Sequence, residues 1–227
     1  MSLRHTVYLH DFRGNRLDTA PSVEPVTASE LRTHLRESES GLPDSEANDL
    51  IAEARQWIED HLGVAFITQT WDLTLDTWPR GRGQWWDGQR EGHISIIDGS
   101  PHDVDVVLPR WPLQSISSVK TYDGDSNETT VTVADVFDVD TQRLPGRIAL
   151  QEGQTWPTAL RPTNAIQIAY VAGYGDAATD VPAPLKRAVR QLAASLYSNR
   201  GDCSEMEDFL AKSGAASILR SYQIARL

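Results

Sequence analysis

Cysteine is nearly absent: Cys203 is the one thiol in 227 residues, so no disulfide can form within the chain. That excludes a small fold stapled by disulfides and fits a reducing compartment or an intracellular assembly site. No apolar run approaches the roughly 20 residues of a membrane span. The opening Met1-Ser2-Leu3-Arg4-His5-Thr6 lacks the apolar core of a signal peptide. Basic residues are outnumbered, 21 Lys and Arg against 32 Asp and Glu, for a net charge of −11. This argues against a protein that reads nucleic-acid sequence through a broad basic face.

Local catalytic and metal-binding motifs are missing too. The six histidines make no His-x-His or His-Glu-x-x-His spacing, and a cysteine pair is impossible, so a zinc site from local motifs is not expected. Asp103 and Asp105 beside His102 would share the solvent face of a strand. Asp123-Gly124-Asp125-Ser126-Asn127 begins like a calcium loop but has Glu128 at the sixth position and Ala134 at the twelfth. It reads as a turn between strands. Gly81-Arg82-Gly83 meets Trp86 where a dinucleotide fingerprint needs a third glycine, and neither a phosphate-binding loop nor a nucleophile elbow occurs.

What the sequence does have is a sharp change of period. Leu50, Ile51, Ala54, Trp57, Ile58 and Leu62 mark one face of a helix that ends at Gly63. Ile67, Gln69, Trp71, Leu73 and Leu75 then share one side of a strand, with Thr68, Thr70, Asp72, Thr74 and Asp76 on the other. Upstream, Thr27-Ala28-Ser29-Glu30 is a capping box opening a short helix to about Arg36. Gly41-Leu42-Pro43 breaks it, and Asp44 or Ser45 is expected to cap the long helix. Residues 1–26 read as an extended arm with a short strand at Thr6–Leu9.

Short strands are expected at His93–Ile97, Val104–Leu108, Ser115–Tyr122, Glu128–Val133, Val136–Val139, Gly146–Leu150 and Ala165–Val171. Pro182 and Pro184 open a last long helix with Leu185, Val189, Leu192 and Leu196 on its seam. A short helix near 205–212 and a tail over 215–227 follow. The fold class is α+β: a small helical bundle of N- and C-terminal helices, with an antiparallel β-sandwich or barrel-like unit inserted between them. The expected parts are an arm 1–26, a helical hub in two pieces, 27–66 and 173–212, a β domain 67–172 and a tail 213–227.

Charge and aromatics are unevenly placed. Glu24 to Asp60 holds ten acids and three bases, whereas Pro182 to Leu227 holds seven bases and four acids. These are either solvated helix faces or two surfaces that meet unlike partners, or each other in a neighbouring copy. Trp57 and Trp71 fall on apolar faces. Trp78, Trp111 and Trp156 each precede proline at a strand end. Trp85 and Trp86 sit in a glycine-rich loop and could contact another subunit, stack on a sugar, or fold back on their own domain.

Several landmarks in order carry a resemblance. They are Thr27-Ala28-Ser29-Glu30-Leu31-Arg32-Thr33-His34-Leu35-Arg36, His61-Leu62-Gly63, Ile67-Thr68-Gln69-Thr70-Trp71-Asp72-Leu73 and Leu108-Pro109-Arg110-Trp111-Pro112-Leu113-Gln114-Ser115-Ile116. Pro145-Gly146-Arg147-Ile148, Trp156-Pro157, Tyr170-Val171-Ala172-Gly173-Tyr174-Gly175 and Val181-Pro182-Ala183-Pro184-Leu185-Lys186, running to Leu196-Tyr197-Ser198-Asn199-Arg200, complete the set. Together they resemble the head–tail connector (adaptor) proteins of long-tailed phages and gene-transfer agents. The arm and the tryptophan loop depart from that pattern.

The resemblance implies a structural protein of the particle neck, assembled in the bacterial cytoplasm, with no catalytic centre, metal or cofactor. It implies a ring of copies, usually dodecameric, below the portal protein. The ring would extend the channel through which DNA passes non-specifically and dock a tail-side stopper or tail-completion protein, with no membrane involved. Portal contacts would fall on the tail at Leu219, Arg220, Tyr222, Ile224, Arg226 and Leu227. Lys186, Arg187 and Arg190 are candidate channel or subunit contacts, and Trp85 and Trp86 candidate loop contacts. The alternatives are a tail-completion (stopper-type) protein of the same apparatus, or a carbohydrate-binding β domain using Trp85, Trp86 and Asp87.

Overall fold

The structure, a computed structural model, describes residues 14–78, 105–199, 210 and 212–223. Expectations for Thr6–Leu9, Trp85, Trp86, Asp87, His93–Ile97, His102, Asp103, Ile224, Arg226 and Leu227 lie outside the described residues, as does most of the helix expected near 205–212. The elements in chain order are β1 (Asn15–Thr19), α1 (Ala28–Leu35), α2 (Asp44–Leu62), β2 (Gln69–Leu75), β3 (Val106–Val107), β4 (Leu113–Tyr122), β5 (Glu128–Val131), α3 (Val133–Val136), β6 (Phe137–Asp140), β7 (Arg147–Leu150), β8 (Ile166–Ala172), α4 (Ala183–Ser198) and α5 (Ala215–Leu219). A 3-10 turn, Arg220–Tyr222, follows α5.

The chain forms two compact units. A β unit comprises the described residues of Met1–Thr19, Thr70–Pro109 and Leu113–Val171; a helical unit comprises those of Ala20–Gln69, Arg110–Pro112 and Ala172–Leu227. The sequence pattern shows neither the assignment of β1 to the β unit nor the three-residue excursion Arg110–Pro112 into the helical unit. Both are pairing events between segments far apart in sequence.

In the helical unit α1 begins with the capping box. The Thr27 hydroxyl accepts from Glu30 N at 3.2 Å, and Thr27 N donates to the Glu30 carboxylate at 2.8 Å. Glu30's carboxyl is held below its usual range, first by that Thr27 N–H and also by Arg190 and Lys186 of α4. The expected side-chain cap on α2 does not form. Pro43 occupies the cap position, and Asp44 instead accepts from Arg32 at 2.5 Å. Gly63 ends α2 in the left-handed region at φ 73°, which only glycine adopts without strain.

The core of this unit joins Leu31 and Leu42 to Ile51, Ala54 and Ile58 of α2, Leu185, Val189 and Leu192 of α4, and Ala215 and Leu219 of α5. Segment 64–68 runs along its base. Ala65 N bonds Trp111 O at 2.8 Å, Tyr174 N bonds Phe66 O at 3.2 Å, and Thr68 N bonds Gly175 O at 3.0 Å. Gly173 is required there: at φ 144° a Cβ would lie 2.7 Å from the Ile67 carbonyl and Thr68 N.

The β unit contains a five-stranded sheet, order β1-β2-β8-β4-β5, and a three-stranded sheet, order β3-β7-β6. The pairs β1–β2, β4–β5, β3–β7 and β6–β7 are antiparallel. The α+β class holds, but the barrel-like alternative does not: neither sheet closes on itself among the described residues. Ile166, Ile168 and Tyr170 alternate inward along β8, and Trp71 and Leu73 of β2 are buried with them. Close approach at Gly146 fixes the start of β4, since a Cβ there would sit 2.5 Å from Leu113 Cβ.

Two of the Trp-Pro positions close this unit. Trp78 stacks on Trp156 with centroids 4.4 Å apart, Phe137 tilts against both, and Trp78 Nε1 donates to Pro157 O at 3.0 Å. Asp105 departs from its expected solvent-facing role. It pairs with Arg147, which also donates to Asp140 at 3.1 Å, so the cation ties β3, β7 and β6 together. Asp123 uses its carboxylate within its own turn, accepting from Asp125 N at 3.0 Å and from Asn127 N at 2.8 Å. The Asn127 side-chain amide first, and with it those backbone donors, hold its carboxyl below the usual range.

Candidate interaction surfaces

The basic residues of α4 occupy a face set by the helix's own seam. Leu185, Ala188, Val189, Leu192 and Ala193 are buried. With about 100° per residue, Arg187 falls opposite this seam, Arg190 next to Arg187, and Lys186 on the flank beside Ala193. They point away from the core; Arg187 is exposed, and Lys186 and Arg190 half-buried. None of the three makes an ion pair among the described residues, and α4 contains no acid.

The tail behaves differently from a loose docking segment. Ala215 and Leu219 are buried at 0% and 1% exposure, inside the helical core, with Ile218 and Tyr222 packed against it. Tyr174, whose phenol is pushed up to about 12 by burial, lies close enough to Tyr222 for the two to interact electrostatically. Gln223 reaches His61 at 3.2 Å, and His61 stacks on Trp57 at 4.9 Å. The sequence suggests that this tail has too little bulk for a core of its own. It instead completes one that α2 and α4 leave open. Arg220 remains exposed. Trp57, expected in the core, is half-buried over that rim.

Where α2 runs into segment 64–69 lies a charged network that the sequence pattern does not single out. Glu59 accepts from Arg55 at 2.5 Å, from Phe66 N at 2.8 Å and from Gln69 Nε2 at 2.8 Å. Arg55 also donates to both Glu24 carboxylate oxygens, at 2.7 and 3.2 Å. Burial pushes the Glu59 carboxyl up, against the attraction of Arg55 and the three donors. Burial also opposes charge on Arg55, but Glu24 and Glu59 more than offset it. Arg110 adds a clamp, donating to Glu59 O at 2.7 Å and to the Asp60 carboxylate. A signal for this network was present. Arg55 and Glu59 are spaced i, i+4 on the stripe of Ile51, Ala54, Ile58 and Leu62, where a charge must be paired.

On the β unit, a shallow cleft of about 600 Å³ is lined by Arg16, Asp72, Tyr122, Arg161, Asn164 and Gln167, among others. Its charges are engaged: Arg16 with Asp72 at 3.5 Å, and Arg161 over the Tyr122 ring at 4.4 Å with two bonds to Asn164 O. Among the described residues no group of three or more His, Cys, Asp or Glu is placed to hold a metal ion, and no helix is long and apolar enough to cross a membrane.

This α+β arrangement occurs in solved particle structures. A chain from a structure described as the virion of a native gene transfer agent (GTA) particle matches with a TM-score of 0.68 and 21% identity, over 94% of this chain and 96% of that one. A chain from the neck of an empty GTA particle, computed with C6 symmetry, matches at 0.65 and 20% over the same shares. One from the neck of a native GTA particle, computed with C12 symmetry, matches at 0.62 and 21%, over 93% and 97%. At this identity the likeness shows a shared fold. No protein-family model and no curated protein sequence matches the chain.

Proposed function

We propose that this chain is a structural component of the neck of a gene-transfer-agent or phage-like particle, acting as a ring-forming head–tail connector of the adaptor type. The observation that carries this reading is end-to-end likeness, over 93–94% of the chain, to chains of GTA particles that include necks. Twelve-fold and six-fold averaging of those necks supports a closed ring of copies. The landmarks from Thr27 to Arg200 support the adaptor position rather than the stopper. The role is one of shape and contact, not catalysis.

In this reading the ring sits below the portal protein, extends the DNA channel and presents its other side to a stopper or tail-completion protein. The portal takes Arg220 and the last residues Ile224, Arg226 and Leu227. Leu219 and Tyr222 support that segment from within the helical core rather than entering the portal themselves. An acidic chain suits a channel wall, because phosphates slide past like charge without sticking.

Deleting the gene in a producing strain tests the proposal. The expected result is DNA-filled heads that keep their portal and lack tails, with normal particles restored by the full chain. Heads with this chain attached but no stopper are expected when the stopper is deleted instead. Unchanged tailed particles after deletion would refute the role. Loss of tails with the chain found on isolated tails rather than heads would assign it to tail completion.

A further inference from the structure

The helical unit carries opposite charge on two faces that cannot meet within one copy. On α2, Ile51, Ala54, Ile58 and Leu62 turn to the core. Asp49 and Glu53 stand on the opposite side of the helix, both exposed, together with Asp60. Asp60 is taken by Arg110, but Asp49 and Glu53 make no ion pair among the described residues. On α4, Arg187 stands exposed opposite the buried seam, with Arg190 and Lys186 half-buried on its flank, where both also attract Glu30 of α1. Both helices bury their apolar seams in one core, so their charged faces point away from it and from each other.

Resting on the ring reading above, we infer that the acidic face of α2, with Asp49 and Glu53, docks against the basic face of α4, with Lys186, Arg187 and Arg190, of the neighbouring copy. The occupant is a second copy because the charges are complementary and both faces belong to one chain. The contact is head-to-tail because a two-fold contact would have to present both faces on one side, and the packing of α2 against α4 prevents that. A head-to-tail contact closes into a ring when its rotation allows, as the symmetry of the neck neighbours requires. Each surface ion pair is weak alone. Repeated at every interface, the set fixes register and makes assembly dependent on salt.

Two variants of the full chain test this. The first carries Lys186→Glu, Arg187→Glu and Arg190→Glu; the second carries Asp49→Lys and Glu53→Lys. Circular dichroism confirms that each is folded, and native mass spectrometry reads assembly in low salt. The wild-type chain is expected to give rings that dissociate as sodium chloride is raised, and each variant alone is expected to stay monomeric. Their equimolar mixture is expected to recover rings in which the two alternate, since acidic then meets basic at every interface and an even copy number closes. Variants that form rings alone, or a mixture that fails to, would overturn this interface while leaving the ring reading intact. A wild-type chain that stays monomeric would overturn both. If the second variant assembles normally while the first loses only duplex-DNA binding in an anisotropy titration, the basic face serves DNA and the inference is wrong.

Discussion

Charge is handled in two ways in this molecule. In the β unit it is neutralised locally: Lys120 with Glu128 at 2.9 Å, Arg147 with Asp105 and Asp140, Arg16 with Asp72, and Asp123 inside its own turn. In the helical unit Arg32–Asp44 and Arg110–Asp60 are paired locally too, but part of the charge is sorted. Arg55, Glu24 and Glu59 are paired in or at the edge of the interior, acids stand out on α2, and bases stand out on α4. A surface whose charges are already paired gains little from a charged partner, whereas unpaired faces of opposite sign keep that gain for assembly. In the ring proposed above, the helical unit is the part that meets other copies, and the β unit is a folded body built on its own ladders and aromatic closures.

The largest expected effect comes from the end of the chain. Deleting residues 215–227 removes the buried Ala215 and Leu219 and the half-buried Ile218 and Tyr222. That is about 4 kcal/mol or more of apolar burial, so the melting midpoint should fall by more than about 10 °C. A smaller fall would return this segment to the status of a detachable tail. Next is Glu59→Ala, which leaves Phe66 N and Gln69 Nε2 without their acceptor and Arg55 with Glu24 as its remaining partner. Each buried donor left unmade costs about 1–3 kcal/mol, measurable by denaturant unfolding.

Thr27→Ala removes one half of the capping box and should cost about 1 kcal/mol by the same measurement. The smallest effect is Glu128→Ala in the β unit, whose ion pair with Lys120 is solvent-exposed; no shift of the unfolding midpoint beyond experimental error is expected. If Glu128→Ala proved as damaging as Glu59→Ala, the distinction between sorted and locally paired charge would fail.

Much of the fold was legible because it rests on local rules. The capping box at Thr27, the glycine end of α2 at Gly63, the change of period into Trp71 and Leu73, and the proline-opened α4 all appear where their side chains require. What stayed hidden depends on pairing at a distance. β1 is set by its pairing with β2, and α5 by the burial of Leu219 in the core it shares with α4. Asp44 lost the expected capping role because Pro43 takes the cap position, and it pairs with Arg32 instead. The candidate surfaces divide the same way. The basic face of α4 follows from a helical wheel. That the acidic face of α2 points elsewhere needed the packing.

The proposed role is a symmetric ring of this chain in the neck of a particle. Electron cryo-microscopy of purified particles, with symmetry left free in reconstructing the neck, tests it most directly. The expected result is a closed ring between portal and tail into which this fold fits, with α2 of one copy facing α4 of the next. Particles whose neck holds no density for this chain, or a single asymmetric copy, would contradict it.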